Sequence, residues 1–175
     1  MSKSSIIERV LLVAGAPDTG KSVQLRSMFL DPRLGTDGRI PDGRKLRETY
    51  RLSASRNLYL RLSSPHEMGE TAEKFLAKIA AKTGQGRWCV ASAVQVEAAQ
   101  KMPALPIVVA AIHERFSPER IRVALLSPDR HGVLLAAVGD AMRTARVTRA
   151  VEVVCIDARS REGNGLLLAD TFDFS

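Results

Sequence analysis

Residues 6–14, Ile-Ile-Glu-Arg-Val-Leu-Leu-Val-Ala, run directly into Gly15-Ala16-Pro17-Asp18-Thr19-Gly20-Lys21-Ser22. This junction constrains the fold more than any other feature of the chain. β-branched and aliphatic residues with few polar interruptions predict a strand buried on both faces, as in a parallel sheet. Residues 15–20 predict a tight turn. Residues 21–30, apolar at Val23, Leu25, Met28 and Phe29, predict a helix that Asp31-Pro32 stops.

The rest of the chain continues this alternation. Asn57–Leu62 reads as a second strand. Ser64-Pro65-His66-Glu67 has the form of a capped helix start, and the helix runs to about Lys82 with Met68, Ala72, Phe75, Leu76, Ile79 and Ala80 on one stripe. Thr83-Gly84-Gln85-Gly86 breaks it. Residues 88–102 are divided: Trp88-Cys89-Val90 favours a strand, and Ala91 to Met102 favours a helix. Pro106–Ile112 reads as a strand by its Ile-Val-Val content, Ser117–Arg120 as a short helical turn, and Ile121–Leu126 as a strand. Val133–Arg146 has helical composition with Gly139 inside it, Ala150–Ile156 is a strand, and Leu166–Leu168 is one more short strand ahead of the tail from Asp170 to Ser175. There is no internal repeat and no evident linker. The expectation is one domain over residues 1–175, of α/β class, in three layers, with a mostly parallel sheet of about five strands and helices on both faces.

Composition narrows the setting. With 175 residues, 45% hydrophobic and 26% charged, the chain is long and apolar enough for a folded core. The apolar runs Val10–Ala16 and Leu105–Ile112 are too short to cross a bilayer. Met1-Ser2-Lys3-Ser4-Ser5 lacks the basic-then-apolar pattern of a signal sequence. Cys89 and Cys155 make no disulfide framework, so the reading is a soluble cytoplasmic domain with reduced thiols and no membrane contact. The net charge of +7 suits nucleic acid, a phosphate-rich ligand or an acidic protein partner, although no dense Lys/Arg block occurs. Residues 31–56 carry two Asp-Gly-Arg turns, at 37–39 and 42–44, in a long polar loop that is either a solvated insertion or a contact for substrate or partner.

Residues 15–22 match G-x-x-x-x-G-K-[ST] at every fixed position, between strand and helix. Gly15 and Gly20 let the chain turn, so that the segment Gly15, Ala16, Pro17, Asp18, Thr19 and Gly20 can bring backbone N–H groups, which all but Pro17 possess, close to phosphate oxygens. The following helix adds unpaired donors, Lys21 a mobile charge for the β- and γ-phosphates, and Ser22 a hydroxyl able to ligate Mg²⁺. Asp18 places a carboxylate in a loop meant for anions. It would repel phosphate if it faced inward, and is expected to point outward toward an arginine.

On this motif the chain resembles the P-loop nucleoside-triphosphatase superfamily. The resemblance implies a second acidic group at the end of a hydrophobic strand to complete the Mg²⁺ site. Asp157 follows Val153-Val154-Cys155-Ile156 directly, Asp129 follows Ile121–Leu126 after Ser127-Pro128, and Glu114 follows Ile107–Ile112 after His113; Asp129 is preferred, as metal ligand with Ser22 and as catalytic residue with Lys21. Asp129-Arg130-His131-Gly132 also fits the D-x-x-G string of regulatory GTPases. It lies far from the first motif, and no Asn-Lys-x-Asp string accompanies it, so adenine is the default by elimination. Arg115, Arg120, Arg122 and Arg130 are candidates for a charge-stabilising arginine. The three histidines and two cysteines show no zinc spacing, and no G-x-S-x-G nucleophile occurs. The leading expectation is an ATP- and Mg²⁺-dependent ATPase that controls a partner or an assembly, with a homo-oligomer compatible. The alternatives are a small-molecule or nucleotide kinase, and a non-catalytic nucleotide-binding interaction module.

Overall fold

The computed structural model describes residues 5–136 and 138–172. Most of the stretch read for a signal sequence, residues 1–4, and the end of the tail, residues 173–175, lie outside them. The strands are β1 (Ser5–Ala14), β2 (Thr49–Arg51), β3 (Arg56–Arg61), β4 (Gly86–Val94), β5 (Arg120–Leu126) and β6 (Val151–Ile156). The helices are α1 (Lys21–Ser27), α2 (Ala72–Lys82), α3 (Leu105–Phe116), α4 (Val138–Ala145) and α5 (Arg161–Phe172). One six-stranded sheet results, in the order β2-β3-β4-β1-β5-β6. Every neighbouring pair is parallel except the short β2 against β3. The α/β class and the mostly parallel sheet are as expected. The sheet has six strands rather than about five, because three residues of the 31–56 loop pair antiparallel with β3.

β1 is central and buried on both faces, and alternate residues enter different cores. Val10, Leu12 and Ala14 pack with Phe75 and Ile79 of α2 and with Leu105, Val108, Val109 and Ile112 of α3. Leu11 and Val13 pack on the other face with Leu25 of α1 and Leu168 and Phe172 of α5. α4 joins the first layer through Ala145 and Met142. The helices therefore cover both faces.

Two expected strands are helices. Leu105, Val108, Val109 and Ile112 are the buried residues of α3, a spacing of three, four and seven that belongs to a helix. Pro106 lies in its first turn, where a missing N–H costs nothing. The β-branched content of 106–112 pointed to a strand, and tertiary packing overrode it. Leu166–Leu168 lies within α5, which buries Leu168, Ala169 and Phe172 and exposes Leu166 and Leu167. A side chain on Gly165 would collide with the Ser27 carbonyl, so this glycine is what lets α5 lie directly on α1.

Other boundaries move. The Ser64–Glu67 capping pattern forms a turn, and α2 begins at Ala72, capped by the Thr71 hydroxyl accepting from Lys74 N–H. The divided segment 88–102 resolves as β4 to Val94, and Ser117, at φ 45°, ends α3 rather than starting a turn of helix. α1 closes at Ser27 and continues as a 3₁₀ turn, Met28–Leu30. α4 spans Val138–Ala145 where helix was expected over 133–146. Among the described residues, no helix is long and apolar enough to cross a membrane.

Candidate functional site

The layer assignment gives β1 a special place. The chain leaves the carboxyl end of β1 toward the α1–α5 layer, whereas its neighbours β4 and β5 lead into the α2–α3–α4 layer. Connections diverging from adjacent parallel strands open a crevice at their carboxyl ends, where α/β sheets bind ligands. The Gly15–Ser22 segment lies at that crevice. Gly20 is left-handed at φ 98°, a conformation that glycine adopts without strain, and Asp18 is also left-handed at φ 58°. Pro17, Asp18, Thr19, Gly20, Lys21, Ser22 and Val23 line a cleft of about 430 Å³ together with Glu67 and Arg130.

Lys21 holds the cleft together. Its side chain is only 4% exposed, and Nζ donates to the Ala16 carbonyl at 2.7 Å while lying 3.2 Å from Glu67 Oε1. Burial pulls its ammonium below the ordinary lysine value, and Glu67 pulls the other way. The Thr19 hydroxyl also donates to the Ala16 carbonyl, at 2.8 Å, which folds the loop on itself. The Ser22 hydroxyl donates to the Leu62 carbonyl at 2.8 Å, joining the start of α1 to the segment after β3. The α-helical part of α1 is only seven residues long, so loop amides and Lys21 rather than a long macrodipole must supply the field for an anion.

Glu67 is the residue that sequence reasoning assigned to a helix cap and not to the site. It occupies a turn built by Ser64, Pro65 and His66, whose carbonyls accept from the N–H groups of Met68, Glu70 and Gly69 respectively. His66 anchors this turn from inside. It is fully buried; Gln95 N–H donates to Nδ1 at 3.2 Å, which assigns the proton to Nε2, and Nε2–H donates to the Pro103 carbonyl at 3.0 Å. Burial lowers the His66 pKa, so the ring is neutral. The available signal was position: Glu67 follows the end of β3 by a short turn, but Ser63-Ser64 stands directly at the strand end.

The three carboxylates proposed from sequence do not line this cleft. Asp129 is nearly buried, and its Oδ1 accepts from His131 N–H at 2.8 Å and Val133 N–H at 2.9 Å, shaping the turn after β5. Asp157 is held by Arg159, which lowers its pKa to about 2. Glu114 lies on α3. Asp18 is exposed and faces Arg130, whose guanidinium donates to it and holds its carboxyl below the usual range. Of the four arginine candidates, Arg130 lines the cleft, Arg122 pairs with Glu152, Arg115 lies in the last turn of α3, and Arg120 begins β5.

For Mg²⁺, the side-chain oxygen donors that line the cleft are the Thr19 and Ser22 hydroxyls and the Asp18 and Glu67 carboxylates. That set suits a hard cation that takes few protein ligands and keeps its waters. Among the described residues, no group of three or more His, Cys, Asp or Glu side chains could hold a metal by itself.

Comparison with protein-family models, with curated proteins and with solved structures finds no match to this chain.

Proposed function

We propose that the chain binds ATP with Mg²⁺ in the Gly15–Ser22 cleft, as a P-loop protein, and that it hydrolyses the nucleotide to control a partner or an assembly. The observation that carries this reading is the buried Lys21 ammonium, set beside a left-handed glycine turn at the crevice flanking β1. Lys21 can exchange the Ala16 carbonyl for a phosphate oxygen, and the loop amides surround the same anion. Mg²⁺, when bound, neutralises charge on the phosphate oxygens; Ser22 and Glu67 are the residues fitted to hold it. Glu67 can also orient an attacking water, while Asp129 acts on the cleft through the turn that presents Arg130. The basic 31–56 segment would meet a partner, nucleic acid or acidic protein.

Equilibrium binding of ATP with Mg²⁺, followed by phosphate release with and without DNA, tests this. Lys21→Ala should weaken binding ten- to a hundredfold, roughly the value of a charge-assisted bond, and abolish release. Wild-type protein that takes up no ribonucleotide would end the reading. Tight binding without release would leave a nucleotide-binding interaction module.

One observation favours a kinase as second reading. A cavity of about 460 Å³, lined among others by Arg47, Arg61, Leu62, Ser63, Met68 and Lys78, adjoins the cleft through Leu62 and the 67–68 turn. Its size suits a small acceptor molecule. Phosphate transfer from ATP to a pool of nucleosides and metabolites, rather than to water, would establish this reading over the first.

A further inference from the structure

We propose that Arg130 is a second phosphate-binding cation that Asp18 holds in reserve, so that a polyphosphate enters the cleft by taking Arg130 away from Asp18. This rests on the nucleotide reading above and adds a determinant that the motif alone does not contain.

Arg130 comes from the turn after β5, yet it is tied to the loop at three points. Its backbone N–H donates to the Thr19 carbonyl at 3.3 Å. Its aliphatic stem covers Gly20, where an added Cβ would lie 3.4 Å from Arg130 Cβ. Its guanidinium donates to Asp18 Oδ1 through Nη2, and to His131 Nε2 at 3.0 Å through Nε. The Asp129 cap, which binds the N–H groups of His131 and Val133, fixes the turn that delivers it. The head group is thus placed at the mouth of the cleft that Lys21 lines.

The contact that holds it there is a weak one. Asp18 is 76% exposed and Arg130 39% exposed, and ion pairs in such surroundings are screened by water. A polyphosphate offers several charged oxygens in a cleft already lined by the Pro17–Ser22 loop with its Lys21, and guanidinium bonds to phosphate are charge-assisted and often bidentate. Exchange of partner therefore favours the phosphate. The backbone and stem contacts of Arg130 need not change, because only the guanidinium moves.

Binding of ATP with Mg²⁺ should be measured by calorimetry for the wild type, Asp18→Asn, Arg130→Gln and the double variant. Glutamine keeps part of the stem over Gly20, and thermal unfolding checks that each variant is folded. Arg130→Gln should weaken binding about tenfold, the scale of one charged hydrogen bond. Asp18→Asn should tighten it roughly threefold, the scale of a surface ion pair released. In the Arg130→Gln background that gain should disappear. An Arg130→Gln variant that binds like the wild type overturns the proposal, as does an equal gain from Asp18→Asn with and without Arg130, which would mean direct repulsion of the phosphate. Wild-type protein that binds no ATP would instead overturn the nucleotide reading itself.

Discussion

Lys21 Nζ and Glu67 Oε1 stand 3.2 Å apart, although one begins α1 and the other lies in the turn after β3. The lysine is nearly buried and the carboxylate is 43% exposed, so the pair has one side in the protein and one toward the cleft. Glu67 offsets the desolvation of Lys21 and can turn outward when a phosphate takes the ammonium. Glu67→Gln should therefore reduce phosphate release about a hundredfold, within the range for a positioned acid–base group, while ATP binding measured without Mg²⁺ changes far less. Single-turnover assays at saturating ATP separate the two. Unchanged release would restrict Glu67 to balancing Lys21.

His66 makes stability depend on pH. Burial holds its folded pKa below the ordinary 6.5, so the unfolded chain takes up a proton that the folded chain refuses. Its contribution is complete above the ordinary histidine range and is lost as pH falls through 6.5 toward the folded value. The loss can reach about 1.4 kcal/mol per pH unit for one proton. A proton on Nδ1 would face the Gln95 N–H that now donates to it. Urea unfolding at a series of pH values should show this slope, and His66→Gln should remove it.

Two helical glycines should respond oppositely to alanine. A methyl group on Gly165 meets the Ser27 backbone, which cannot move aside as a side chain could, so overpacking outweighs the gain in helix propensity. Gly165→Ala should cost roughly 1–3 kcal/mol. Gly139 in α4 has no neighbour that an added Cβ would meet, and Gly139→Ala should stabilise by up to about 1 kcal/mol. Chemical unfolding of both variants checks the signs.

The two thiols should differ sharply in reactivity. Cys89 is fully buried in β4, and burial pushes its pKa up to about 11, so it holds little thiolate at neutral pH. Cys155 is exposed on β6 and only partly desolvated. A thiol reagent should label Cys155 first in the native protein and Cys89 only after unfolding. Mass analysis of the labelled peptides distinguishes them, and early labelling of Cys89 would contradict the packing of β4.

The sequence made β1, the turn at 15–20, β5 and β6 legible because their signals are local: β-branched and aliphatic runs with few polar interruptions, and glycines at a strand end. α3 was not, because its Val and Ile content favours a strand while only the spacing of Leu105, Val108, Val109 and Ile112 marks a helix. α5 was hidden because Gly163 and Gly165 weaken helix propensity, and the reason for Gly165 lies in α1, far away in sequence. The loop residues of the candidate site could be named from their motif. Glu67 could not, since its approach to Lys21 depends on a turn anchored by His66 to the ends of β4 and α3. Arg130 stood among four arginines, and only the fold of the turn after β5 separates it from the others.

β1 takes its two neighbours from distant parts of the chain: Ser5 is opposite Gly86 on one side and Arg9 opposite Arg120 on the other. During synthesis, the strand bearing the loop leaves the ribosome before either of its neighbours and waits for both flanks. A nascent polypeptide that stops before β5 has Lys21 without its crevice and an apolar ribbon open to any other ribbon nearby. Such a topology delays the enclosure of β1 until β5 has been translated, and long-range parallel pairing of this kind folds slowly and stays exposed to aggregation meanwhile.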